Sequence, residues 1–427
     1  MLEIKYFREH LRDVEASEKK RGKKLNNVKK VIEYDNKWRN SLKEVEKLRA
    51  KRNLINVEIS KKRKLKQNAD AQIKQMRVLT AKINNLQKKS DFYLRERDVF
   101  RSKVGNILDN RVPFGKSEED NKILRFVGKK PKFSFKHKDH IELGLSLDLF
   151  DFDSAAKISG SRFVYFKNEA AILDWALQMY AIETLVKNGF SIIWPPLMLN
   201  KKAISAGINL QEFEDTIYKI EGEDLYLIGT SELPLVALHF NEVLDVSKLP
   251  LFYGGISPCF RKEAGTHGKD DKGTIRMHQF NKAEQVVFSR QEDSDKLFNK
   301  LQKISEQFFK DLGIPFRVVA ICSADIGDKQ SLQYDIEAWF PGQNNKKGAY
   351  REVTSCSNCK SYQSVNANIR YLENGEKKYA HILNNTMVAT SRAIPAILEN
   401  HQQKDGSVKI PSCLWKYCGF RTIKQNH

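Results

Sequence analysis

From residue 25 to residue 108 the chain contains no proline, and Gly105 is its only glycine. A stretch that long without a helix breaker can run as continuous helix, and the spacing of its apolar residues says which kind. Met76, Leu79, Ile83 and Leu86, then Tyr93, Phe100, Val104 and Ile107, recur at alternating steps of three and four, with Ser90 and Arg97 in the two remaining places. That is a heptad seam. Val31, Trp38, Leu42 and Val45 obey the same rule before the seam shifts to Leu48, Ile55 and Ile59, as a stutter produces. Residues 60–72 between the two runs are nearly all polar, which suits a solvated tip. The pattern predicts two long antiparallel helices, a coiled coil over about 27–107, with limbs of roughly 50–60 Å. A dimerisation coiled coil would show the same seam, but the polar tip and the surplus of cations fit it less well.

Charge separates this region from the rest. Residues 1–110 hold 31 Lys and Arg against 15 Asp and Glu, whereas the remainder holds 43 against 38, so most of the net +21 lies in the first quarter. A polyanion is the natural partner of such an arm, and nucleic acid is the expected one. No apolar run is long enough to span a bilayer, and the start, Met-Leu-Glu-Ile-Lys-Tyr, lacks the apolar segment of a signal peptide. A cytoplasmic protein with no membrane partner is expected. Cys356 and Cys359 form a C-x-x-C and Cys413 and Cys418 a wider pair, with no histidine pair at ligand spacing. Reduced buried thiols, rather than zinc, are expected.

Beyond the arm (1–110), residues 111–155 read as a linker, with Pro113, Gly115, Pro131 and many charges, and 156–427 as a catalytic domain. Residues 169–188 place Ile172, Trp175, Ala176, Met179 and Leu185 on one helical face, stopped at Gly189. Strands are expected at 190–194, 224–229, 251–260, 276–288, 316–321, 333–340 and 349–354, and helices at 292–311 and after Met387, where Pro395 implies a helix start or a bend. Hairpin-like neighbours outnumber βαβ units, so the fold class is α+β: an antiparallel β-sheet flanked by helices. No dinucleotide G-x-G-x-x-G follows a strand, and Gly265–Thr274 has the wrong order for a Walker A loop.

Four groups carry chemistry. Thr230-Ser231-Glu232 follows an apolar strand and can grip an ammonium and a small polar side chain, or simply cap a helix. Ser257–Glu263 and Arg276–Glu284 flank a basic, glycine-containing loop. If they pair as a hairpin, Arg261 and Glu263 share a face, as do Arg276, His278, Phe280, Lys282 and Glu284. Such a face suits a nucleotide: guanidinium for phosphate, phenyl ring for purine, carboxylates for amino groups. Glu352 and Ser355 offer oxygen ligands for Mg2+. Asn384–Arg392 leads small and polar residues to an arginine near a helix start, a combination that binds phosphate.

Taken together and in order, these stretches resemble the seryl-tRNA synthetase family of class II aminoacyl-tRNA synthetases over nearly the whole chain. The helical arm, Ser159-Gly160-Ser161-Arg162-Phe163, Trp194-Pro195-Pro196, Thr230-Ser231-Glu232, Phe260-Arg261-Lys262-Glu263 with Arg276–Phe280, Arg392 with its flanks, and Glu399–Gln402, Asp405-Gly406 and Ile410-Pro411 carry the likeness. The resemblance implies activation of L-serine by ATP to seryl-adenylate and transfer to tRNA(Ser), with tRNA(Sec) as a further candidate. It also implies a class II catalytic sheet, Mg2+, and a homodimer formed near the Trp-Pro-Pro signature.

By the same resemblance, Thr230, Ser231, Glu232, Glu284 and Thr386 form the serine pocket, and Arg261 holds the α-phosphate and the serine carboxylate. Lys262, Glu263 and the backbone at Met277 belong to the ATP site, where adenine stacks on Phe280. Glu352, Val353, Thr354 and Ser355 contribute to ATP and Mg2+, and Arg276 and Arg392 receive the outer phosphates. Arg261, Glu352 and Arg392 are the catalytic residues, and the basic arm takes the extended variable arm of tRNA(Ser). Two places depart from the pattern: Asn385 and Met387 stand where many members have glycines, and Ser364-Val365-Asn366 replaces basic residues. Two other classes stay open at this point: a relative that activates an amino acid for a different acceptor, and a non-enzymatic RNA-binding coiled-coil protein.

Overall fold

Apolar residues at heptad spacing bury themselves only if two helices face each other, and the N-terminal unit, Met1–Ile107, does this. In the computed structural model, which describes residues 1–208, 214–263 and 273–425, α1 (Asn26–Lys64) and α2 (Asp70–Arg101) run antiparallel and turn at residues 65–69. Their 39 and 32 residues correspond to about 58 and 48 Å of helix. Val45, Ile55, Ile59, Ala69, Leu79 and Ile83 form the buried seam. The two polar seam positions are explained by their partners. Ser90 is buried, and Arg97 reaches Asp35 (3.2 Å) while its guanidinium lies 5.0 Å from the Trp38 ring centre. Arg8 adds a bidentate pair to Asp35, 2.8 Å on each oxygen. Burial pulls Asp35 up, but the two arginines hold it below its ordinary value.

The second unit, Leu108–His427, is built on an eight-stranded sheet. Its elements in chain order are β1 (Lys122–Val127), α3 (Asn168–Lys187), β2 (Ser191–Ile193), α4 (Glu232–Ala237), β3 (Leu251–Phe260), β4 (Gln279–Ser289), α5 (Ser294–Asp311), β5 (Phe316–Ala320), β6 (Leu332–Phe340), β7 (Ala349–Asn358), α6 (Tyr362–Ala367), β8 (His381–Ala389) and α7 (Thr390–His401). Across the sheet the order is β1-β5-β6-β7-β8-β4-β3-β2, antiparallel throughout except β2 with β3. The α+β class expected from sequence is the fold found. Residues 111–155, which read as a linker, lie in this unit and supply its edge strand β1 and the helix His140–Ser146. The loop Gly265–Thr274 lies outside the described residues except for its last two positions.

Two helices differ from expectation for physical reasons. α3 was expected to carry one apolar face. Instead Ala176 and Leu185 enter the core while Ile172, Trp175 and Met179 stay exposed. A helix that is apolar on both sides has two surfaces to cover. Gly189 follows it at φ +86°, the left-handed stop that glycine makes cheaply. α7 starts at Thr390, five residues before Pro395, and continues through it. The proline removes the N–H that would bond to the Ser391 carbonyl, and the Thr274 hydroxyl donates to that carbonyl instead (3.2 Å). Among the described residues, no helix is long and apolar enough to cross a membrane.

Candidate active site

The paired strands β3 and β4 form the floor of the site. The expected strand over 276–288 starts only at Gln279, and β3 ends at Phe260, so Arg261–Glu263 and Arg276–His278 lie past the ladder. Strand alternation therefore does not govern them: Glu263 has φ +49°, and its carboxylate meets Arg276 Nη1 at 3.5 Å. His278 does not join a nucleotide face. Its ring stacks on Phe163 (5.1 Å between centres), and Nδ1 lies 2.8 Å from both the Tyr218 hydroxyl and the Arg261 carbonyl oxygen. Within β4 alternation does hold, and Phe280, Lys282 and Glu284 share one face. Opposite Glu284 stand Gly255 on β3 and Thr386 on β8. A Cβ on Gly255 would approach Ser231 Oγ to 2.7 Å, so a glycine lets the start of α4 press against the sheet.

That close approach brings Glu232 into a buried charge lattice. Its Oε1 accepts from Lys329 Nζ (2.5 Å), Gln363 Nε2 (2.7 Å) and Asn384 Nδ2 (3.2 Å). Glu284 pairs with Lys282 (2.5 Å) and accepts a longer bond from the Thr386 hydroxyl (3.4 Å). Burial pulls Glu232 up, but the charge and hydrogen bond of Lys329 more than offset it, leaving the carboxyl below its ordinary value. Glu284 goes the other way: burial pushes it up, Lys282 pulls it back, and the neighbouring Glu232 raises it again. Thr230 Oγ1 accepts from the Glu232 backbone N–H (3.2 Å), whereas Ser231, fully buried, donates to the Gly255 carbonyl rather than facing the pocket. Lys282, Lys329, Gln363 and Asn384 belong to this cluster, although sequence reasoning assigned them no part in it. Lys282 left a trace in its parity with Phe280 and Glu284, and Asn384 as the start of the run to Arg392.

Next to it, Arg261 donates from Nε to the Gly229 carbonyl (3.1 Å) and lays its guanidinium 5.3 Å from the Phe280 ring centre. Lys262 is exposed, and Met277 is buried. On the far side, Arg392 Nη1 bonds the Glu352 carbonyl oxygen (2.9 Å) and carboxylate (3.2 Å). Glu352 and Ser355 are three apart and would point to opposite faces of a regular strand. Instead β6 and β7 slip register between Ile336 and Glu337, so that Glu352 lies opposite Glu337 and Ser355 opposite Asp335. The bulge turns both onto one face. Val353 and Thr354 have buried side chains.

Asp335 is a buried carboxylate that sequence reasoning missed; a pair of carboxylates, Asp335 and Glu337, two apart on the expected strand 333–340 was the available signal. Burial first, and the nearby Glu352 second, push its carboxyl well above the ordinary range. This face carries Asp335, Glu337, Glu352 and the Ser355 hydroxyl; Glu337 is paired with Arg317 and Glu352 with Arg392, and hard oxygen donors of this kind suit a divalent cation. Among the described residues no three His, Cys, Asp or Glu side chains converge on one metal position. That donor set fits Mg2+, which takes one or two carboxylates and completes its shell with water and phosphate oxygens.

Residues at both places that depart from the family pattern are tied into the fold. Asn385 points away from the pocket and donates to the Leu301 carbonyl (3.0 Å) and to Ser305 (2.9 Å) on α5. Met387 is buried, and Ser364 donates to the Ala380 carbonyl (2.6 Å).

Comparison with known proteins matches two family models to this chain. The seryl-tRNA synthetase N-terminal domain covers residues 1–108, and the tRNA synthetase class II core domain (G, H, P, S and T) covers residues 215–401. The serine–tRNA ligase of Pyrococcus horikoshii is 44% identical, over 99% of this chain and 97% of its own length. Among solved structures, seryl-tRNA synthetase from Pyrococcus horikoshii complexed with ATP superposes with a TM-score of 0.93 at 43% identity, covering both chains completely. The cytoplasmic serine–tRNA ligase from Naegleria fowleri in complex with AMP superposes at 0.89 with 32% identity, over 100% of this chain and 99% of that one.

Proposed function

The chain belongs to the seryl-tRNA synthetases, ligases that join serine to tRNA on a class II core, and from that premise we propose how its residues divide the work. The observation that carries the reading is the single face of β4 with Phe280, Lys282 and Glu284, bordered by Arg261 and by the Thr386 hydroxyl. Serine sits with its ammonium at Glu232 and Glu284, and its hydroxyl within reach of Thr230 and Thr386. Adenine stacks on Phe280 in the place where the Arg261 guanidinium now lies near the ring, with Glu263 and the Met277 backbone at its edge. Arg276 and Arg392 receive the outer phosphates.

The serine carboxylate is already ionised, so no protein nucleophile is needed. It attacks the α-phosphorus of ATP, a P–O bond forms, and pyrophosphate leaves with the electron pair of the broken bond. Arg261 and Arg392 stabilise the charge that builds on the phosphoryl oxygens, and catalysis comes from positioning and electrostatics. Mg2+, held by Glu352 and Ser355 with Asp335 beside them, would supply charge neutralisation at the phosphates when bound. A terminal ribose hydroxyl of tRNA then attacks the seryl carbonyl and AMP leaves. A pocket that bonds the serine hydroxyl strands its own buried polar groups when alanine enters, which discriminates strongly.

The basic hairpin α1–α2 binds tRNA(Ser) through backbone and shape rather than base edges; tRNA(Sec) is the further candidate. A homodimer formed through α3 accounts for its exposed apolar residues, and a cytoplasmic location suits six unpaired cysteines. Serine-stimulated ATP–pyrophosphate exchange, followed by transfer of labelled serine to tRNA, tests the assignment. Exchange stimulated by another amino acid in preference to serine would refute it.

A further inference from the structure

All three side-chain donors to Glu232 fall on the same oxygen. Lys329 comes from the connection between β5 and β6, Gln363 from α6 and Asn384 from β8, and each reaches Oε1. Among the described residues no donor reaches Oε2. We propose that Lys329 is a positioning residue for the amino-acid substrate: with Gln363 and Asn384 it pins Oε1 and supplies the counter-charge, which leaves Oε2 as the acceptor for the incoming ammonium group. This deepens the reading of the pocket as the serine site and rests on it.

The arrangement solves an electrostatic problem. Glu232 is 5% exposed, and a carboxyl desolvated to that degree without a cation takes up a proton. A protonated Glu232 cannot accept from an ammonium group at both oxygens. Among the described residues the groups that face it are few. Lys282 and Glu284 come from β4 and are engaged with each other at 2.5 Å. Cys359, at the end of β7, has its thiol pushed up by burial to about 12 and carries no charge at neutral pH. Gln363 and Asn384 are neutral donors. Lys329 is therefore the cation committed to Glu232, and the attraction in turn keeps Lys329 protonated against its own burial.

The test is steady-state exchange with Lys329→Met over pH 6 to 8.5, varying serine at saturating ATP. Loss of an interaction made equally in ground and transition states raises KM and spares kcat, so the serine KM should rise about tenfold or more near neutral pH while kcat and the ATP KM change little. The KM should then recover as pH rises and Glu232 ionises unaided, whereas the parent protein stays flat in that range. Lys329→Arg, which keeps the charge, should restore a flat profile. Gln363→Leu should raise the serine KM without adding pH dependence. A Lys329→Met protein whose serine KM matches the parent, or is raised by the same factor at every pH, overturns the proposal. If that variant does not fold, Lys329→Gln keeps a donor to Oε1 without the charge and carries the same pH test with the same two outcomes. If the parent itself shows no serine-dependent exchange, it is the reading of the pocket that fails, which is a separate result.

Discussion

Asn281 donates from Nδ2 to Asp174 Oδ2 across 2.6 Å, and this bond ties the exposed helix α3 to the strand that carries Phe280 and Lys282. Asp174 is buried and also accepts from Gln178 (2.7 Å), with the hydroxyl of Thr390, the first residue of α7, beside it. Thr390 in turn donates to the Asn281 carbonyl (3.1 Å). Burial pushes Asp174 above the ordinary carboxylate range, and the neighbouring Thr390 hydroxyl and the amides of Asn281 and Gln178 pull it back. One carboxylate thus holds together the elements that carry the proposed adenine and phosphate contacts.

Asp174→Leu would strand the amides of Asn281 and Gln178 in the interior. The expected cost is about 2–4 kcal/mol of stability, read by thermal or denaturant unfolding, together with a raised ATP KM in exchange. Asp174→Asn, which keeps a carbonyl acceptor, should lose less of both. An ATP KM unchanged in the leucine variant would show that the bond serves packing alone.

Among the described residues the Arg261 side chain makes a single hydrogen bond, to the Gly229 carbonyl, and Arg261→Ala removes it. Pyrophosphate exchange should fall by about a thousandfold, the scale on which preorganised charge stabilisation acts. The melting temperature should move by only about 2 °C, as for other substitutions outside the core. Arg261→Lys should be nearly as damaged, because an ammonium lacks the planar fork. Normal exchange in either variant refutes the site.

Shortening the arm separates its task from catalysis. Residues 49–82 lie beyond the Ser41–Leu86 contact (3.3 Å) and hold 11 Lys and Arg against two Asp and Glu. With that segment excised and the helices closed by a short turn, serine-dependent exchange should stay within about twofold, while tRNA charging falls at least about tenfold and loses much of its salt dependence. Charging that survives intact would remove the arm from tRNA binding.

On α3, Ile172, Trp175, Met179 and Val186 are exposed at helical spacing, with Trp175 at 62%. Trp175→Glu with Met179→Lys should shift sedimentation from dimer to monomer at micromolar protein without lowering the folded fraction, since these side chains stand outside the core. A protein that sediments identically with both changes places the dimer contact elsewhere or denies it.

Sequence periodicity reached far where structure is local. The heptad seam marked both long helices, and strand 251–260 coincides with β3 to the residue. Glu232, Glu284, Phe280 and Arg261 could be named because each sits in a short run with unusual composition. Lys329, Gln363 and Asn384 could not be placed around Glu232, because only the sheet register and a loop from 97 residues away bring them together. Nor does spacing reveal a bulge: Glu352 and Ser355 look incompatible as partners until the β6–β7 register is known. The two-sided burial demand on α3 was equally invisible, since a second apolar face reads in sequence as part of the first.

The slip beside Val353 has a price that sheet regularity would avoid. A protein engineer who straightened the ladder with Val353 kept in register would gain hydrogen bonds and send Ser355 to the opposite side of the sheet from Glu352. The scaffold would then be sturdier with its two proposed Mg2+ donors split between faces, so this one irregular residue marks where thermostabilisation of the scaffold has to stop.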